Sequence, residues 1–255
     1  MNEKLKVSQW IRIAAAVIIY FGTTELMLLR LPVDYFLLSL VDAGVISLTL
    51  ANSAYMLALY IWITVPGVIL VFFKLRSSAR QLSKTWYWIG IGWFVSMVAA
   101  LLSGMIVSMF TTDQSANQSM LNEAMKIAPV LTILPIVFGG PIIEEIIFRY
   151  ALQDVFFGGF FDLIFHKLFK LNPDSKAYRI VKAGITIFAA AILFGLIHVI
   201  GDGKGDYIYL ITYGAAGIAL GLIYQFSNKN LLVAMGAHML YNITSVLLTL
   251  LMGIA

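Results

Sequence analysis

Cysteine is absent from this chain of 255 residues, and charge is scarce, with only 12% of positions Asp, Glu, Lys or Arg. The first absence excludes a disulfide scaffold, a thiolate metal site and a cysteine nucleophile. The second excludes a water-soluble fold of this length, for which about 25% charged residues is usual. No low-complexity tract, internal repeat or soluble domain breaks the pattern. What is present is apolar: 61% hydrophobic residues and a mean hydropathy of +0.91, the composition of an integral membrane protein embedded in a lipid bilayer. The formal net charge of +4 could suggest nucleic acid. The basic residues, however, sit in short runs between apolar segments, where they face anionic headgroups, and no nucleic-acid partner is expected.

A membrane-crossing helix needs about 20 apolar residues. Seven such windows occur, roughly Trp10 to Leu29, Ala51 to Phe73, Trp86 to Phe110, Ile127 to Phe157, Ile180 to Val199, Tyr207 to Phe226 and Leu231 to Ile254. The fourth is too long for one straight crossing and contains Pro135 and Gly139-Gly140-Pro141, which remove helix hydrogen bonds and favour a break. It is expected as two helical pieces. Phe36 to Leu50 is apolar but short and holds Asp42, so it reads as an interfacial helix, a re-entrant piece or an eighth span. The fold class is therefore an all-α polytopic transmembrane bundle of seven to eight helices with a broken motif-bearing helix. The first apolar segment lacks a small-residue cleavage site and is expected to stay in the mature chain.

Basic residues fall unevenly between alternate loops. Lys4, Lys6 and Arg12, four in Lys74 to Lys84, five in Lys167 to Lys182, and Lys229 lie on one side; Arg30, Lys126 and Lys204 lie on the other. This asymmetry puts the N-terminus and both basic loops in the cytoplasm. Trp10, Trp86, Tyr87 and Trp88 read as interfacial anchors.

Ionisable residues inside apolar windows are functional hypotheses by default, because each costs about 2.5–3.5 kcal/mol at the bilayer centre on insertion scales. Glu144, Glu145 and Arg149 occur together just after the Gly-Gly-Pro sequence. Glu145 and Arg149 are four apart and share a helix face, so an ion pair neutralises both. Glu144 is left over, and a carboxyl group in a low-dielectric interior is suited to general acid or base work near neutral pH. The competing reading is an orienting ion pair with Glu144 protonated and inert. Two of the three histidines tip the balance: His198 follows Phe194 by one turn, and His238 precedes Asn242 by one turn, which puts an imidazole and a carboxamide on one face. His166 lies in a basic loop and reads as solvated. Glu25 and Asp42 have no evident partner and read as snorkelling interfacial groups.

These residues form three ordered motifs. Glu144-Glu145-Ile146-Ile147-Phe148-Arg149 fits EExxxR, Phe194-Gly195-Leu196-Ile197-His198 fits FxxxH, and His238-Met239-Leu240-Tyr241-Asn242 fits HxxxN. Together they resemble the CPBP family of intramembrane proteases, also known as the CAAX protease and bacteriocin-processing (Abi) family. The likeness covers roughly Leu134 to Thr249. Tyr150 departs from it, since a small residue commonly follows the arginine in that family. One membrane domain is expected over 1–255, with 1–126 of unassigned role, and the resemblance implies that the catalytic helices lie in 127–255. It further implies an endopeptidase in which Glu144 activates a water that His198 holds and polarises. Glu145 and Arg149 would orient the motif helix, and His238 and Asn242 would stabilise the oxyanion. Glu144, His198 and His238 could also hold a divalent zinc with an open position, although no HExxH helix is present.

Other protease chemistries fail on the same letters. Ser103-Gly104 lacks the preceding glycine of a rhomboid-type GxSG motif, and Gly203-Lys204-Gly205-Asp206 matches GxGD without a partner aspartate. In a straight-helix layout His198 lies near the outer end of its helix and His238 about 12 Å above the cytoplasmic end of its own, so convergence requires tilted or irregular helices around a wet cavity. The expected substrate is a membrane-associated peptide or protein, and the expected location is a bacterial plasma membrane. The rival functions are a non-catalytic bacteriocin-immunity or regulatory protein with a membrane partner, and a proton-coupled transporter.

Overall fold

The computed structural model describes residues 6–200 and 206–253; the Gly203–Gly205 part of the GxGD match lies outside them. Every regular element among the described residues is helical. In chain order the helices are α1 (Val7–Thr24), α2 (Leu31–Asp42), α3 (Leu48–Leu70), α4 (Phe72–Thr85), α5 (Tyr87–Val107), α6 (Ala116–Ile127), α7 (Pro129–His166), α8 (Lys176–Ile197), α9 (Leu210–Phe226) and α10 (Leu231–Leu251). Seven described helices are long and apolar enough to cross a membrane, namely α1, α3, α5, α7, α8, α10 and the segment Tyr207–Phe226 that contains α9. The chain is a multi-pass membrane protein. The eighth-span reading of Phe36 to Leu50 is corrected: α2 ends at Asp42 and is 12 residues long, about 18 Å at the helical rise, too short to cross.

Helix starts follow local chemistry. The hydroxyls of Ser115 and Ser175 accept the amides of Gln118 and Tyr178 at 3.2 and 3.1 Å, and the Asn230 carboxamide oxygen accepts Leu232 N–H at 3.1 Å. Each satisfies an otherwise orphaned first-turn donor of α6, α8 or α10. Asn230 does more, since its amide also donates to Ser78 O at 3.0 Å and to Thr85 Oγ1 at 2.8 Å. This ties the start of α10 to α4.

The motif-bearing α7 sits at the centre of the bundle, packed on α1, α3, α8 and α10, and its most apolar window is the most buried of the seven. The break expected at Gly139-Gly140-Pro141 takes a milder form, for the helix runs on with π-wound segments at Pro135–Gly139 and Glu145–Phe157. The cause is proline. In the widened winding, Gly140 N–H reaches back five residues to Pro135 O, so Pro141 is accommodated without ending the helix. The next carbonyl, Ile136 O, would look to residue 141 for its donor, and proline has none. Asn242 Nδ2 on α10 fills the gap at 2.8 Å. Thr64 Oγ1 on α3 donates to Gly139 O at 3.2 Å. The donor that Pro141 lacks is thus supplied by a side chain of α10, and α3 adds a second bond to the backbone of the π-wound segment.

Close approach of backbones completes the packing. A Cβ on Gly92 of α5 would lie 2.7 Å from the Cβ of Ala237 on α10, so α5 and α10 meet as closely as small residues permit. His166 is helical, at the end of α7, and its exposed ring contacts Leu171 O at 3.0 Å through Nδ1.

Candidate active site

Glu145 and Arg149 form the ion pair that their spacing predicts: Arg149 Nε donates to Glu145 Oε2 at 3.0 Å, and both side chains are wholly buried. The guanidinium also stands 5.2 Å from the centroid of the Phe194 ring on α8. Its two terminal nitrogens have no hydrogen-bond partner among the described residues.

The second oxygen of Glu145 has its own task. Glu145 Oε1 lies 3.0 Å from Nδ1 of His238 on α10. As a carboxylate, Glu145 can only accept, which places a hydrogen on Nδ1 and leaves Nε2 as the acceptor of the neutral ring. Nε2 is turned to Glu144, 3.9 Å from its Oε2. Glu144 and His238 are both buried. An arginine therefore holds a glutamate, the glutamate holds an imidazole, and the imidazole faces the leftover acid.

Around Glu144 the walls are glycine and tyrosine. A Cβ on Gly140 would stand 3.1 Å from Glu144 Oε1 and 3.7 Å from Tyr60 Cε1, and one on Gly139 would stand 2.9 Å from Tyr60 Cβ. The two glycines let the Tyr60 ring of α3 pack directly on α7 beside the carboxyl. Tyr20 of α1 is within electrostatic reach of Glu144 as well. Nothing in the sequence marked either tyrosine, because each is one aromatic residue in an apolar window and its nearness to Glu144 is a tertiary fact.

His198 caps α8 and is half-buried. Its Nδ1 lies 2.7 Å from Phe194 O; a carbonyl only accepts, so Nδ1 carries the hydrogen here too. The ring stacks on Tyr213 at 4.6 Å and 22°. Tyr213 OH in turn meets Ser115 Oγ at 2.9 Å and Asn117 Nδ2 at 3.1 Å, at the start of α6. Glu25, just past α1, interacts electrostatically with His198, and burial pushes its carboxyl above the usual range while Thr24 and His198 act in the opposite direction.

The six candidate site residues are thus unevenly joined. Glu144, Glu145, Arg149 and His238 form one contiguous buried cluster. His198 makes no ion pair or hydrogen bond with it; the Phe194 ring lies between, its centroid 4.7 Å from the His198 ring and 6.1 Å from the His238 ring. Asn242 is engaged with Ile136 O. No three histidine, aspartate or glutamate side chains among the described residues are grouped as a metal-ligating set. Glu144, His198 and His238 are not brought together as such a set.

Residues 126–244 match the family described as type II CAAX prenyl endopeptidase Rce1-like. The match covers all three motifs and agrees with the resemblance drawn from them. The chain is also 22% identical over 161 residues to the UPF0177 protein YvdC of Lactococcus lactis subsp. lactis (strain IL1403). That alignment covers 63% of this chain and 51% of the relative, so the chain spans about half the length of the curated relative it matches. No solved structure matches it.

Proposed function

On the premise that residues 126–244 are an Rce1-like membrane segment, we propose that the chain is an intramembrane endopeptidase that hydrolyses a peptide bond in a membrane-associated peptide or protein. The observation that carries the reading is the Glu144–His238 pair, 3.9 Å apart with the far nitrogen of the imidazole fixed by Glu145.

Two acceptors at that spacing, a carboxylate oxygen and a neutral imidazole nitrogen, need a donor between them. A water at about 2.8 Å from each subtends roughly 90° between them, close to its own bond angle. Both of its hydrogens are then engaged, and its lone pairs point outward at whatever lies in the site. That is the arrangement hydrolysis requires: a nucleophile whose protons already rest on bases. As the water oxygen bonds to the carbonyl carbon, one proton passes to Glu144 and the C=O π electrons move to oxygen. His238 Nε2 keeps its hold on the second hydrogen of the former water, and the Glu144 proton is later delivered to the leaving nitrogen as the C–N bond breaks and the oxyanion electrons re-form C=O.

Charge balance supports the assignment. Glu144 and Glu145 bring two negative charges and Arg149 one positive, so a proton taken up on Glu144 or His238 leaves the buried cluster neutral rather than adding a charge to it. Arg149 and Glu145 are positioning residues. Asn242 has a second N–H beyond the one given to Ile136 O and serves as oxyanion donor, while His198, with Nε2 free of the Phe194 bond, orients the peptide beyond the Phe194 ring. The basic loops and the bacterial relative support a bacterial plasma membrane with those loops in the cytoplasm.

The test is mass spectrometry of membrane peptides from cells carrying the native chain or Glu144→Gln at matched protein levels. The expected result is a set of product peptides lost with the variant, which identifies substrate and bond together. An identical peptide set, with the cellular phenotype intact, would overturn catalysis and favour the immunity or regulatory reading.

A further inference from the structure

The end of the bundle that carries the basic loops holds a cavity of about 1380 Å³, open between α1, α4 and α7. Six cations line it: Arg12, Lys74, Arg76, Arg80, Lys182 and Lys229. Its two carboxylates are already committed. Asp162 takes Lys182 Nζ on both oxygens at 2.7 Å, and Asp154 takes Lys229 Nζ and, at 3.2 Å, the Tyr224 hydroxyl. Arg12, Lys74, Arg76 and Arg80 are left with no carboxylate partner among the described residues.

One of these four is built in rather than trailing from the surface. Lys74 Nζ donates to Lys229 O at 2.8 Å and stands 5.3 and 5.5 Å from the centroids of Tyr150 and Tyr224. The remaining wall is apolar, from Val68, Ile69, Phe72 and Phe73 at the end of α3 and the start of α4, with Trp10 at the rim. Cations on one wall and lipid-facing aliphatic and aromatic side chains on the other, at the depth where α1 and α3 leave the membrane, match an amphiphile with an anionic head. The volume exceeds the roughly 300–1,000 Å³ of small-molecule sites.

We propose that this cavity is a binding site for an anionic glycerophospholipid of the leaflet on the basic side. The phosphate sits among Arg12, Lys74, Arg76 and Arg80, and the acyl chains leave past Ile69 and Phe72. The assignment is independent of the protease reading, because the motif cluster contributes no residue to the cavity. A free phosphate would use the cations but not the apolar wall, and the two sources separate in one experiment.

The full chain is released from vesicles of equimolar phosphatidylglycerol and phosphatidylcholine, and the lipids it retains are counted by native mass spectrometry. Phosphatidylglycerol is expected to be retained in preference. Each cation near an anionic headgroup contributes about fivefold in affinity, so Arg76→Gln with Arg80→Gln lowers retention about thirtyfold. Lys84→Gln, on the same helix but outside the cavity, leaves it unchanged. Arg12→Gln, on a different helix, gives about a fivefold loss and covers the case in which the double variant fails to fold. Equal retention of the two lipids, or an equal loss with Lys84→Gln, would overturn the proposal. Displacement of phosphatidylglycerol by millimolar inorganic phosphate would overturn it in favour of a soluble-anion site.

Discussion

Removal of Arg149 tests the buried cluster at its root. The guanidinium makes a single hydrogen bond to Glu145 at 3.0 Å, its terminal nitrogens are unpartnered, and neither side chain has any exposure. Arg149→Leu leaves Glu145 as a carboxylate in a low-dielectric interior with only the His238 ring to hold it. Breaking a buried pair from one side costs about 3–5 kcal/mol. Glu145→Gln strands the guanidinium instead, at a comparable cost. The double variant removes both charges and, with leucine filling much of the arginine volume, is expected to cost about 1–3 kcal/mol, far less than the sum. The assay is equilibrium unfolding in mixed micelles for the three variants and the native chain, combined as a double-mutant cycle with an expected coupling of at least about 3 kcal/mol. Additivity within about 0.5 kcal/mol would refute the reasoning, because the two groups would then not be compensating each other. Peptidase activity adds a second readout: Glu145→Gln can offer His238 an amide donor, which permits the opposite tautomer, so activity is expected to fall by more than the stability change explains.

Gly140→Ala places a methyl 3.1 Å from Glu144 Oε1 and is expected to cut turnover at least tenfold while lowering unfolding stability by no more than about 2 kcal/mol, read by activity and unfolding on one preparation. Asn242→Leu orphans Ile136 O and is expected to cost about 1–3 kcal/mol; Asn242→Gln, if it reaches that carbonyl, recovers part of the loss. The Lys74 amine is lowered to about 8, first by burial and further by Lys229, with Asp154 opposing. Because this base titrates lower folded than unfolded, its positive charge is present below pH 8 and fades as pH rises through it. Phosphatidylglycerol retention should weaken between pH 7 and 9 for the native chain, and Lys74→Arg should remove most of that dependence; a flat native profile would rule out Lys74 as a headgroup contact.

The parts of this site that lie within one helical turn were legible in the sequence, and the parts that depend on tertiary contact were not. The Glu145–Arg149 pair follows from a spacing of four, and the leftover status of Glu144 follows from that pair. The partner that fixes His238 lies 93 residues away, and no local pattern announces it; the imidazole read as an oxyanion donor from its own helix turns out to be held between two glutamates. Proline and glycine in α7 signalled irregularity correctly, but composition does not distinguish a break from a π-wound continuation, since that depends on whether neighbouring helices supply donors. Asn242 and Thr64 do. Glu25 stood out as a charge without a partner, and only the fold brings it near His198. The count of seven or eight crossings turned on where α2 stops, which apolar composition alone leaves open.

The π winding of α7 has a consequence for length. Such a turn stores one residue more than the ordinary helix that could replace it, so a single deletion between 135 and 139 has a regular helix to relax into. The chain would tolerate it as a shape. Because the wide turn and its replacement each close one revolution, the acid pair downstream would keep its facing, but Pro141 would regain the steric conflict that the wider winding absorbs. In this stretch the spacing of letters matters as much as their identity, and insertions or deletions there should be far rarer among working variants than in the connections that flank it.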